Sequence, residues 1–463
     1  MRVEEIIGIV KNYFFLALIA IIVLGIIFLL LYFIVYKKLL SGKKSLSKTR
    51  LLLVGLFISY VLMVIGMTFM NRGSNFQGEM VLSLFSSYRE AWYSFSTRQW
   101  QFVLLNIFMF VPFGFLFPLL DARFRKALWT VGMAALFTLS IECIQLLSGY
   151  GIFELDDLFN NLVGAIIGYG IIMAFISIKN KKIKQSLFFI SPLFIVVFLF
   201  GSMLVYYNVK EFGNLPIRPS QKTDMTQATT TIDIKLSDTR ITVPVYKAPS
   251  YTKDAADEFV LNYFKKLNID VSNMDDISYP DLGVYRVQGE EAYNLSFQFL
   301  DGSYSYTDFS SFDEHIEPID VEEETLKNKL TGFGIEIPPN AHFKKVNKGT
   351  FEWSVDKKII ENQLIDGTIT VNYYNDDTVK GIEHHLITYE KVKDILIKSE
   401  QEVYQEILDG EFNYYVENKG IKTLAIHNVE LSFYLDSKSY YQPVYAFYST
   451  VDGKDITILI PAI

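Results

Sequence analysis

Eight polar residues set in or beside otherwise apolar stretches are where this sequence could do chemistry: Arg98, Asn106, Glu142, Gln145, Glu154, Asp156, Asp157 and Asn161. A carboxyl group among apolar neighbours must be neutral, be paired with a cation, or line a polar cavity, because an isolated charge in hydrocarbon is costly. Glu142 is the sharpest case. Gln145 follows it at i, i+3, so on a helix the two share a face, and Arg98 is a cation within reach of the same level. Asp156 and Asp157 can cap the helix they open, where orphan N–H groups and the dipole favour a carboxylate. As a pair they could instead hold magnesium or calcium, although no metal site follows from two carboxylates. Asn106, Gln145 and Asn161 also suit hydrogen bonds between helices. The sequence has no P-loop, no G-x-S-x-G and no H-E-x-x-H, so no catalytic residue and no cofactor can be named. The five histidines, His315, His342, His384, His385 and His427, all lie in the second half of the chain. His384 and His385 are adjacent, face opposite sides of a strand and make a poor metal pair.

What must position these groups is a set of membrane helices. Six apolar runs, 13–36, 51–70, 101–120, 127–147, 158–178 and 186–207, are long enough to cross about 30 Å of hydrocarbon at 1.5 Å per residue. The first is too long for a signal peptide, and its basic cluster follows it rather than precedes it. Lys37, Lys38, Lys43, Lys44, Lys48 and Arg50 crowd the first loop, Arg123, Arg125 and Lys126 the third, and Lys179, Lys181, Lys182 and Lys184 the fifth. The positive-inside bias makes those loops cytoplasmic and both termini extracytoplasmic. With that orientation Asn106, Glu142, Gln145 and Asn161 all fall within about 10 Å of the outer boundary, because the helices alternate in direction. The expected result is an outward-facing polar pocket, with Arg98 above it and Glu154, Asp156 and Asp157 at its rim. Pro112, Gly114 and Pro118 loosen the third run, and Gly164, Gly168 and Gly170 allow the fifth to pack closely.

The same residues form a pattern. Asn106 leads into FMFVPFGFLFP, SIECIQ spans 140–145, and FELDDLFNNLVGAIIGYG spans 153–170. Over about 50–180 this resembles the VanZ-like family of bacterial membrane proteins. The resemblance implies a role at the cell envelope; founding members are linked to reduced susceptibility to the glycopeptide teicoplanin, and no reaction is established for the family. Two departures stand out. The family usually has an arginine after the glycine that precedes its acidic motif, where this chain has Tyr150 after Gly149, and Glu154 replaces a usual aspartate.

Composition changes sharply near residue 208. Residues 1–207 hold 18 Lys and Arg against 9 Asp and Glu, and residues 208–463 hold 25 against 42. So acidic a second half repels nucleic acid. With Cys143 as the one cysteine, that half has no disulfide and folds on its hydrophobic core alone. The division reads as a first span and basic loop (1–50), a VanZ-like core (51–180), a sixth span (181–207), a polar linker (208–230) and an extracytoplasmic domain (231–463). In that domain 253–267 carries helical apolar spacing, and helices open near Asp320 and at Ser399-x-x-Glu402. YNLSFQFLDGSYSY, GTITVNYYNDD and YAFYSTVDGKDITILIPA read as hairpins. Helix followed by antiparallel strands, in two repeats, predicts an α+β fold. The pattern resembles, without a diagnostic motif, extracytoplasmic regulators of sensor kinases in Gram-positive bacteria. The many tyrosines fit half-buried sheet better than a stacking site for glycans or peptides.

Three functional readings follow. The leading one is a non-enzymatic envelope protein whose polar pocket engages a lipid headgroup, a cell-wall precursor or a glycopeptide. A second is an intramembrane enzyme on a lipid-linked precursor, with Glu142 as general base and the two aspartates holding a cation. A third is a regulator whose outer domain contacts a membrane protein partner such as a sensor kinase.

Overall fold

A computed structural model describes residues 47–69, 78–279, 281–289, 292–414 and 420–463. The expected first span, 13–36, and most of the basic loop after it lie outside the described residues. The chain divides into two compact units between Glu211 and Phe212.

In the first unit, five helices are long and apolar enough to cross a membrane: α1 (Lys48–Phe69), α3 (Thr97–Leu120), α4 (Ala127–Ser148), α5 (Leu155–Lys179) and α6 (Ile183–Val209). Among the described residues there are thus five such helices rather than six. Between α1 and α3 the chain forms a two-residue strand β1 (Met80–Val81) and a short helix α2 (Ser86–Ser94), which its lack of a long apolar run leaves hidden in the sequence. A matching strand β2 (Phe153–Glu154) precedes α5 and pairs with β1 in parallel, Met80 opposite Phe153 and Val81 opposite Glu154.

The centre of this unit is the contact of α3 with α5. A Cβ on Gly164 or Gly168 would overlap the carbonyl oxygen of Ile107 or Val111, and one on Gly114 would overlap that of Ala165. Three glycines therefore let the two backbones touch, as small residues do in membranes. Gly170 does the same against Phe189 of α6. Pro112 and Pro118 lie inside α3, which continues through both.

The second unit is α+β. Helix followed by antiparallel strands occurs three times, one more than the sequence pattern shows. α7 (Lys253–Lys266) precedes β5 (Met274–Asp276), β6 (Leu282–Val287), β7 (Tyr293–Gln298) and β8 (Tyr304–Asp308). α8 (Glu323–Gly332) precedes β9 (His342–Asn347), β10 (Thr350–Ile360), β11 (Gln363–Tyr373), β12 (Val379–His384) and β13 (Ile387–Leu396). α9 (Glu400–Leu408) precedes β14 (Thr423–Leu435), β15 (Tyr440–Val451) and β16 (Lys454–Pro461). With β3 (Thr229–Ile232) and β4 (Thr242–Lys247) these make one 14-stranded sheet, antiparallel except where β3 joins β14.

Three buried clusters lie against this sheet, and two of them take in helix residues. The larger packs Phe264 of α7 and Leu326 of α8 on Tyr285, Phe297, Trp353 and Tyr373; the other packs Ile407 of α9 on Ile426, Phe447 and Ile460. Most of the buried tyrosines in these cores, Tyr285, Tyr304, Tyr306, Tyr373 and Tyr445, are sheet residues, whereas Tyr263 belongs to α7 and Tyr404 to α9. α9 opens with the full capping box: Ser399 Oγ accepts from the Glu402 N–H at 3.2 Å, and Glu402 Oε2 accepts from the Ser399 N–H at 2.9 Å.

Candidate functional site

At the end of the first unit where α4 stops and α5 begins, the polar residues converge. α4 buries a polar stripe, Thr138, Glu142 and Gln145, each at most 2 % exposed. α5 answers with Asp156, Asn160 and Asn161, equally buried. Two turns of α4 thus face the first two turns of α5 with side chains that lipid would reject.

Each side chain has a distinct task. Glu142 Oε2 accepts the backbone N–H of Glu154 at 3.1 Å, so this buried carboxylate holds β2. Asn161 Nδ2 donates to Thr138 Oγ1 at 2.8 Å across α4 and α5. Asn106, on α3, donates through Nδ2 to Asp157.

Asp156 turns elsewhere. Its carboxylate accepts from the N–H of Phe85 (2.5 Å), the N–H of Ser87 (2.8 Å), Ser87 Oγ (2.6 Å) and Ser86 Oγ (3.2 Å). It therefore caps α2 rather than α5, whose N-cap Glu154 makes no side-chain cap bond. The cause is local. The residue at the N-cap of α2 is Phe85, held at φ 66° with no side-chain acceptor to offer, so another element must supply one. Tyr88 of α2 completes the tie by donating from its hydroxyl to Asn160 Oδ1 at 2.5 Å. Burial, helped by the charge of Asp156, pushes the Tyr88 phenol up to about 12, so it remains a donor.

With this geometry in view, the comparisons are specific: residues 57–177 match the VanZ/LLP1 family model. That stretch is VanZ-like. No curated protein matches the chain. Two similar solved structures are an uncharacterized protein from Eubacterium rectale (10 % identity, 50 % of this chain and 87 % of that one, TM-score 0.25) and the Bacillus megaterium YpeB C-terminal domain (10 % identity, 46 % and 94 %, TM-score 0.20).

The VanZ-like core thus gathers seven of the eight expected residues around the junction of α4 and α5. Arg98 stands apart: it is exposed, its guanidinium lies 5.8 Å from the Phe102 ring centre, and it forms no ion pair among the described residues. Among the described residues no group of three or more His, Cys, Asp and Glu is placed to hold a metal. Asp156 and Asp157, adjacent in sequence, send their carboxylates to α2 and to α3, which is a geometry for bracing helices rather than for sharing a cation.

Sequence reasoning missed Thr138, Ser86, Ser87, Tyr88 and Asn160. A signal for the last existed, since Asp156 and Asn160 are spaced i, i+4 and must share a helix face. Among the described residues, two buried atoms of the cluster have no hydrogen-bond partner, Asn160 Nδ2 and Asn161 Oδ1. An unmet buried donor or acceptor costs about 1–3 kcal/mol. Each of these atoms, a donor on Asn160 and an acceptor on Asn161, marks a point where a further polar group would be stabilised.

Proposed function

We propose that the chain is an integral membrane protein of the bacterial cell envelope that modulates teicoplanin-type glycopeptide susceptibility, or envelope homeostasis, through this polar cluster. The family match and the five membrane-type helices support the setting. The observation that carries the binding role is the pair of unpartnered buried atoms, Asn160 Nδ2 and Asn161 Oδ1, beside Glu142 and Asp157. A polar head on a lipid, a cell-wall precursor or a glycopeptide would be stabilised by accepting from Asn160 Nδ2 or donating to Asn161 Oδ1. The placing of Arg and Lys in the loops 121–126 and 179–184 supports an orientation in which the cluster and the C-terminal domain face outward.

Binding suffices for this role, and no bond need be made or broken. The test is glycopeptide susceptibility of cells carrying Glu142→Ala or Asp157→Ala at protein levels matched to the unaltered chain. Both variants should shift susceptibility toward that of cells lacking the protein. An unchanged phenotype in both discards the cluster as the working site.

A further inference from the structure

The second unit presents an aromatic pair that its surroundings hold rigid and leave uncovered. Phe309 and Phe312 occupy a single 3-10 turn, are 43 % and 78 % exposed, and lie with ring centres 6.1 Å apart and planes 27° from parallel. Large apolar side chains that protrude together from a soluble surface mark an interaction site more often than a single exposed leucine does.

The turn is bolted down. Asp308 accepts from Ser310 N–H at 2.9 Å and Ser310 Oγ at 2.7 Å. Beneath it Lys380, only 4 % exposed, reaches Ser310 Oγ at 2.8 Å, Asp376 at 2.6 Å and Asp308 at 3.4 Å. The chain after the turn is clamped as well, because Asn375 donates to the carbonyl of His315 at 3.0 Å and accepts from the N–H of Glu317 at 3.1 Å. Burying a lysine to fix a surface turn is costly unless its partners compensate. What the arrangement secures is a pair of phenyl rings that lose little freedom when something covers them.

The charge around the rings says what that is. Of the eight carboxylates from Ser303 to Leu326, Asp308, Glu317, Asp320 and Glu323 pair with lysines outside that stretch, while Asp313 and Glu314, directly after Phe312, are exposed and form no ion pair among the described residues. We infer that the Phe309–Phe312 turn is a docking knob for a protein partner with an apolar cleft bordered by Lys or Arg. An anionic lipid surface would be repelled by the same carboxylates, and a second copy would bring an equally acidic turn.

The experiment uses the full chain in the membranes of the cells that make it, with Phe312→p-benzoylphenylalanine as the photoreactive probe and the same probe at exposed Tyr448 as control. Phe312, Asp313 and Glu314 are exposed, so the substitutions leave the fold intact. The expected adduct maps to one other protein, on an apolar segment flanked by Lys or Arg, and is absent from the control. Adding Asp313→Lys and Glu314→Lys should lower its yield about tenfold, the effect of about 1.4 kcal/mol of lost attraction. Adducts to lipid, adducts to a second copy, no adduct, or a yield indifferent to the charge reversals would each overturn the inference.

Discussion

Replacing Asp156 tests the claim that α5 holds α2 in place. The carboxylate receives four hydrogen bonds from Phe85, Ser86 and Ser87. A hydrogen bond to a charged group contributes about 1.5–3 kcal/mol, and loss of an N-cap alone costs about 0.5–2 kcal/mol. Asp156→Ala, at a position 1 % exposed, also leaves the partly buried N–H groups of Phe85 and Ser87 without their acceptor. Since the four bonds share one carboxylate and are not additive, about 3–4 kcal/mol is expected, with Asp156→Asn costing about half as much because one acceptor remains. Hydrogen exchange followed by mass spectrometry on the detergent-solubilised chain reads the result over peptides covering 83–95. At 1.4 kcal/mol per decade, Asp156→Ala should speed exchange at the start of α2 by about a hundredfold or more, while α3 stays protected. If those amides exchange as slowly in Asp156→Ala as in the unaltered chain, α2 is held by something else and the capping argument fails.

Gly164→Ala places a methyl group on the carbonyl oxygen of Ile107 and should lower the thermal stability of the solubilised chain by at least about 1–3 kcal/mol, whereas Gly132→Ala, which meets nothing within 4 Å, should leave it unchanged. His384 is stacked on Tyr304 at 4.9 Å, and burial lowers its imidazole to about 4 from an ordinary 6.5. Its neutral form therefore contributes stability that is complete above about pH 6.5 and is lost as pH falls towards 4, about 3 kcal/mol in all; His384→Phe should flatten that part of the pH dependence in urea melts of the full chain. Ser399→Ala removes the capping box of α9 and should cost about 1 kcal/mol, visible as a lower urea midpoint with unchanged slope.

What could be read from the sequence was whatever rests on neighbours along the chain. Hydropathy located the five described spans to within a few residues, the Ser399 and Glu402 spacing located α9, and i, i+3 spacing put Glu142 and Gln145 on one buried face. What could not be read depends on partners far apart. The expectation that Asp156 or Asp157 caps α5 failed for Asp156 because the vacant cap belongs to α2, about 70 residues earlier, and arises from the left-handed backbone of Phe85, which no pattern of residue types signals. Arg98 lies in the first turn of α3, one residue from its start, and the sequence places it at the cluster, yet its side chain lies along its own helix over Phe102. In the second unit the third set of strands was visible only as one hairpin, because β14 takes its place through pairing with β15 and β3 rather than through local alternation.

That last pairing bears on how the protein is made. β3 lies parallel to β14, Thr229 opposite Thr423 and Ile232 opposite Ile426, so nearly two hundred residues separate strands that touch. β4 likewise completes its ladder with Tyr440 and Tyr441 of β15. A ribosome delivers β3 nearly two hundred residues before β14, so β3 waits unpaired through most of the synthesis of this sheet, whereas β4 meets β13 first and β15 later. Any truncation before residue 423 would release a chain whose β3 has no partner strand, which predicts that such fragments are cleared rather than accumulated.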